Sequence, residues 1–304
     1  MKSLFYRLLI LLSRGTGIWA LRFISWWVAT GFFCFFPSRV LVSLRFYQAL
    51  FPDRGRLFSL KQAWRQYHSF TSVFVDRILL LEGGRLAHSS EGVELLKEAM
   101  RKKTGGIILM SHFGNWEVAA HLLRLKGLRL LLYLGKKHKE QIESVQKKSL
   151  EEQGIRVIAV DENGGSPLDI VEGIKFLKDG GLVSLTGDRV WGREQRTVTV
   201  NFLNHEVSLP EAPHMLALLS GAPLFVFLTF RSGTGKYYFN VSEPKYVKAE
   251  SRQERGKAIR ESAQAYAGIL EDIVRNHPEE WYHFEPFLGR KIIDNKTLEA
   301  SGVN

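Results

Sequence analysis

Residues 105–123 read GGIILMSHFGNWEVAAHLL, and a change of period inside this stretch decides the fold. GIILM at 106–110 is a short unbroken apolar run, the pattern of a strand buried on both faces. The run stops at Ser111, Gly114 frees the backbone to turn, and Asn115 offers a helix N-cap. Residues 116–125 then follow helical spacing. A buried strand passing straight into a helix is the repeating unit of an α/β fold with a parallel sheet.

The same turn carries the candidate chemistry. His112 stands at the carboxyl end of the strand, where open α/β sheets place their ligands. Glu117 follows after four residues, in the first turn of the helix. A neutral imidazole can take the proton of a substrate hydroxyl near pH 7. A carboxylate on its other ring nitrogen would fix the tautomer and stabilise the imidazolium. His112 is therefore the expected general base and Glu117 its orienting partner. Asn115, between them, is a candidate for binding substrate.

Outward from this turn the alternation continues. Strands are expected at 130–134, 155–160, 182–185 and 222–230. Helices are expected at 140–153, 210–220, around Ile259 to Ile273, and from 166 to 179. The last of these has Ser166 as cap, Pro167 in the first turn and Gly180-Gly181 as stop, with Leu168, Val171, Ile174 and Leu177 on one face. The expected fold is α/β, a mostly parallel central sheet flanked by helices, with an N-terminal membrane-anchoring helix.

That anchor is residues 17–36, GIWALRFISWWVATGFFCFF, twenty residues with Arg22 as the one charge. At about 1.5 Å per residue such a helix matches a hydrocarbon core of about 30 Å, and its tryptophans suit a membrane interface. Arg22 also permits a helix lying in the interface. The bulky FFCFFPSR end lacks a small-residue cleavage signal, against a secreted leader. Residues 40–51 and 72–81 read as shorter amphipathic helices. The expected division is 1–90 for anchor and amphipathic helices and 91–304 for the α/β domain.

Composition narrows the classes. Lys and Arg number 42 against 31 Asp and Glu, for a net charge of +11. A basic surplus favours an acidic partner. Arg101-Lys102-Lys103, Lys136-Lys137-His138-Lys139 and Lys147-Lys148 are clusters suited to steering acyl carrier protein or anionic headgroups. No helix-turn-helix, zinc-finger or ribonucleoprotein pattern is present, so nucleic acid is not the expected partner. The single Cys34 rules out a disulfide within one chain, and no HExxH spacing occurs, so neither metal nor cofactor is expected.

SHFGNWE resembles the active-site motif of the bacterial lipid A late acyltransferases, the lauroyl and myristoyl transferases. LVSLTGDRVWG at 182–192 and LPEAPHMLALLSGAPLFVF at 209–227 resemble further segments of that family. The resemblance implies an inner-membrane enzyme whose catalytic domain faces the cytoplasm. It would move an acyl chain from acyl carrier protein or coenzyme A to a lipid hydroxyl. His112 and Glu117 carry over as the catalytic pair and Asp188 as a site-lining, substrate-binding residue. Arg189 is a candidate for polarising the thioester oxygen, or else an ion-pair partner of a nearby carboxylate. The chain departs from the family at EEWYHFEPFLG, 279–289, where a basic segment is expected. The acceptor thus stays open between a lipid A precursor and a related glycolipid. A glycerolipid-type acyltransferase and a non-catalytic basic membrane protein are the alternative readings.

Overall fold

The computed structural model describes residues 17–81, 86–135, 150–152, 154–160, 166–192 and 194–292. The lysine clusters at 136–139 and 147–148, and most of the helix expected at 140–153, lie outside these residues. The described residues open with three helices, α1 (Ile18–Phe35), α2 (Pro37–Leu50) and α3 (Arg56–Leu81). There follow β1 (Ala87–Glu91), α4 (Val93–Arg101), β2 (Gly106–Met110), α5 (Trp116–Leu125), β3 (Leu130–Gly135) and β4 (Arg156–Val160). Next are α6 (Pro167–Lys178), β5 (Leu182–Thr186), β6 (Thr197–Phe202), β7 (His205–Pro210) and α7 (Ala212–Ser220). β8 (Leu224–Gly233), β9 (Lys236–Val241), α8 (Arg255–Asn276) and a 3-10 turn at Pro278–Glu280 are the last elements among the described residues.

Among the described residues seven strands form one sheet in the order β1-β9-β8-β2-β5-β3-β4. Every neighbouring pair is parallel except β8 and β9, which form an antiparallel hairpin. β2 is the central strand, paired with β5 through Ile107 and Val183 and with β8 through Ile107 and Leu224. The unbroken apolar run of GIILM follows from this position. Ile107 and Leu109 enter the core on one face with Val183, Leu131, Leu216 and Leu270, whereas Ile108 enters the other with Leu96, Val118 and Leu122. Both faces exclude water, so neither can be polar. Cutting Ile107 back to alanine would cost about 2–5 kcal/mol by lost burial and the cavity left behind.

The α5 cap forms as the sequence dictates, with the Asn115 Oδ1 accepting from Val118 N at 3.2 Å. The α6 start is a capping box between Ser166 and Asp169. Its expected apolar face holds in the second half, where Leu177 is buried and Ile174 packs on the core, and is corrected in the first, where Leu168 and Val171 are exposed. Short-range periodicity marked the helix and the later half of its buried side, but not where its first turns turn outward. The helix expected from 210 starts at Ala212, since Pro210 closes β7 in a separate two-stranded ribbon with β6. That ribbon, β1 and β9 were not anticipated, being short strands with alternating or polar sequences. β1 begins at Ala87, so the sheet starts before residue 91.

α1 is 18 residues long with a mean hydropathy of 1.4, and is the one helix among the described residues long and apolar enough to cross a membrane. Its outer side is unusual for a water-facing helix: Trp19 is 67% and Phe35 81% exposed, with Phe23, Trp27 and Val28 also out. Its inner side packs on α3 through Trp26 against Trp64 and a hydrogen bond between Thr30 and His68. α3 in turn docks on the α/β body, where Gln66 Nε2 donates to Trp281 O at 2.6 Å and Arg65 pairs with Glu279.

Candidate active site

The sheet register builds the site. Met110 at the end of β2 lies beside Thr186 at the end of β5. Two residues further along each strand, His112 and Asp188 meet. The imidazole Nδ1 lies 2.9 Å from Asp188 Oδ1, and the His112 backbone N–H donates to Oδ2 at 2.8 Å. Trp281 Nε1 donates to the same Oδ2 at 2.8 Å. An ionised carboxylate can only accept, so Nδ1 carries the proton and Nε2 is left as the basic nitrogen. Asp188 is fully buried on its side chain. Burial pushes its carboxyl up, but the field and hydrogen bond of His112, with His283 and Trp281 adding, outweigh this and hold it well below the usual carboxylate range.

This corrects the expected partner of His112. The carboxylate that meets the imidazole is Asp188, while Glu117 forms a close ion pair with Arg77 of α3. Both members of that pair are mostly buried. Glu117 sits in the first turn of α5, on the side that faces α3 rather than β5. Sequence spacing places a carboxylate near a histidine but does not say which of two strands or helices lies beside it.

Gly114 makes the turn possible. Its φ is +62°, and a Cβ there would lie 1.9 Å from Thr229 O. The C-terminal segment closes the site from beneath. Gly114 N donates to Glu280 O at 2.9 Å, Tyr282 N donates to His112 O at 2.7 Å, and Phe113 bridges to Trp281. The EEWYHFEPFLG segment thus forms the floor under His112. Trp281 and His283 were missed from the sequence; the one signal was a cluster of aromatic and histidine residues near the end of the chain. His283 stacks on Trp281 with ring centroids 5.0 Å apart and stands 6.4 Å from His112. Burial pushes its imidazole down to about 4, so it is neutral at pH 7. Burial also pushes the Glu280 carboxyl up to about 7.

His112 opens into a cavity of about 420 Å³. Phe70, Phe74, Leu185 and Trp191 give it apolar walls, and Arg39, Arg77 and Arg189 add three guanidinium groups. Arg189 makes no salt bridge among the described residues. It donates to Tyr282 O at 3.4 Å and lies over the Trp191 ring at 5.5 Å. Of the expected residues, His112, Asp188 and Arg189 converge here. Asn115 is buried as the α5 cap, its Nδ2 directed at Tyr237 and Val73. Of the basic clusters, Arg101 and Lys102 pair with Glu98 on their own helix. No group of three or more metal-ligating side chains occurs among the described residues.

Fold and site together define an α/β protein with a histidine–carboxylate dyad at the carboxyl edge of its sheet, opening on an apolar and cationic cleft. Residues 71–288 match the family described as bacterial lipid A biosynthesis acyltransferase, and the chain belongs to that family. The family is one of acyltransferases acting in lipid A biosynthesis. A search of curated proteins returned no match to the chain.

Proposed function

We propose that this protein is a membrane-associated O-acyltransferase. It moves a fatty acyl chain from a thioester of acyl carrier protein, or of coenzyme A, to a hydroxyl of a lipid A precursor or related glycolipid. The observation that carries this reading is the His112–Asp188 dyad set in the apolar cleft. His112 Nε2 takes the proton of the acceptor hydroxyl as its oxygen attacks the thioester carbonyl. Asp188 holds the tautomer and stabilises the imidazolium that forms. The carbonyl electrons collect on an oxyanion, and Arg189 is placed on the same cleft to stabilise it. As that intermediate collapses, the carbon–sulfur bond breaks and the imidazolium returns its proton to the departing thiolate.

Glu117 works at one remove, fixing Arg77 in the cleft wall. Glu117 offsets the charge of Arg77, so Arg39 and Arg189 give the cleft its positive field, suited to a phosphate-bearing lipid or donor. The exposed tryptophans and phenylalanines of α1 would seat in the inner membrane, with the catalytic domain on its cytoplasmic side.

The test is acyl transfer by purified protein from an acyl-thioester series to a phosphorylated glycolipid, read by mass spectrometry of the lipid product. His112→Ala is expected to abolish transfer, and Glu117→Gln to raise KM more than it lowers kcat. Transfer by the His112→Ala protein at the wild-type rate would remove the base and with it the mechanism.

A further inference from the structure

The cleft that holds His112 has a neighbour. A second cavity, of about 510 Å³, lies against it along the carboxyl ends of β3 and β5. The two share Tyr133, Leu134, Gly135, Leu185, Thr186 and Trp191 as lining. Beyond this common wall the second cavity is largely apolar, with Val160, Ile170, Met215, Leu216 and Leu219 around it. His112, Arg39, Arg77 and Arg189 belong only to the first, while Asp169, Glu194, Arg196 and Glu211 stand among the apolar side chains of the second. The site thus has two compartments, one lined by His112 and one, mostly apolar in its surface, without it.

Trp191 is the one member of the shared wall outside a strand, the others lying at the ends of β3 and β5. Its ring is 5.9 Å from the His112 ring. Arg189 covers it from one direction at 5.5 Å. Gly135 supports it from another: a Cβ on Gly135 would come within 2.7 Å of the indole. A side chain at 135 would displace the ring, so the end of β3 is shaped to the tryptophan. Its backbone is tied by Trp191 N donating to Gln195 Oε1 at 2.7 Å. A large, flat, positioned side chain beside the base is well suited to stop an apolar chain lying in the cleft.

We infer that Trp191 is the specificity-determining residue for acyl length, its indole closing the catalytic cleft off from an apolar chamber that would otherwise admit a longer tail. This rests on the acyl transfer proposed above. With the ring in place the tail ends in the first compartment. With the ring removed the two compartments join, and each further methylene gains an apolar environment. Burying one methylene is worth about a fourfold change in an equilibrium or specificity constant.

The experiment measures kcat/KM for a series of saturated acyl thioesters with wild-type protein, Trp191→Ala, Trp191→Phe, and Trp191→Ala combined with Leu219→Trp. Circular dichroism melts identify the folded variants. Leu219 is exposed at the chamber, so a tryptophan there fills space without disturbing the core. In Trp191→Ala the optimum is expected to move to longer chains, with kcat/KM rising about fourfold per methylene beyond the wild-type optimum. Trp191→Phe is expected to move it less in the same direction, and serves alone if the alanine protein does not fold. Adding Leu219→Trp is expected to bring the optimum back. A folded Trp191 variant with the wild-type chain-length profile overturns the partition. A double variant that keeps the longer optimum overturns the chamber's role. Wild-type protein inactive with every donor would instead overturn acyl transfer itself.

Discussion

Asp188→Asn tests the dyad at one atom. Asp188 accepts three hydrogen bonds, two of them on Oδ2 from the His112 backbone and Trp281 and one on Oδ1 from the imidazole. An asparagine has one oxygen and one amide nitrogen to place in those two positions. Putting the nitrogen at the Oδ2 position sets it against two fixed N–H donors. Putting it at the Oδ1 position sets it against one ring nitrogen that can change its protonation. A buried donor left facing a donor costs about 1–3 kcal/mol, so the second arrangement wins. The amide then donates to Nδ1, the imidazole proton moves to Nε2, and the atom that should accept the substrate proton is already occupied. The imidazolium also loses its counter-charge. The expected loss in kcat is about 10²–10⁴-fold, the range for a general base and its orienting acid. At about 1.36 kcal/mol per tenfold this is about 2.7–5.4 kcal/mol of transition-state stabilisation. Single-turnover acyl transfer, with thermal melts to confirm folding, measures it. A folded Asp188→Asn enzyme with wild-type kcat would refute the assignment, as would the same loss appearing in Glu117→Gln but not in Asp188→Asn.

Two further predictions concern stability. His214 and His283 are held near 4 by burial, against 6.5 when unperturbed. Between those values the unfolded chain binds more protons, so stability falls as pH drops from 6.5 towards 4, by about 1.4 kcal/mol per pH unit for each group. Glu280 acts in the opposite sense, raised from 4.5 to about 7, so its contribution is present below 4.5 and lost as pH rises through about 7. It cancels one histidine between 4.5 and 6.5. Glu280→Gln should therefore steepen the acid loss from about 1.4 to about 2.7 kcal/mol per pH unit, read by urea unfolding at several pH values. An unchanged slope would contradict the burial of that proton. Gly114→Ala should lose about 1–3 kcal/mol from the positive φ alone and more from the collision with Thr229 O, with kcat falling as His112 shifts. A variant as stable as wild type would show that the turn tolerates a side chain.

Much of the fold was legible because its signals are local. GIILM is apolar without interruption because both faces of β2 are buried, and Asn115 and Ser166 cap the helices that their positions announced. β1 was not legible. AHSSE is polar and mostly exposed at the sheet edge, so no apolar pattern marks it. Leu168 and Val171 show the same limit from the other side, with helical spacing but an outward face.

The sequence by itself determined that a histidine would stand at the end of a central buried strand, that a glycine turn and capped helix would follow, and that an apolar, tryptophan-rich helix would precede the α/β body. Each depends on residues adjacent in the chain, whose preferences act over a few ångströms. Only the tertiary structure decided which carboxylate meets the imidazole. Asp188 is 76 residues from His112 in sequence, and it arrives because β5 pairs beside β2 with Met110 against Thr186. Glu117, five residues away, is turned by its helix towards Arg77. Chain proximity fixes backbone conformation, whereas the partner of a side chain is set by sheet order and by the face a helix presents.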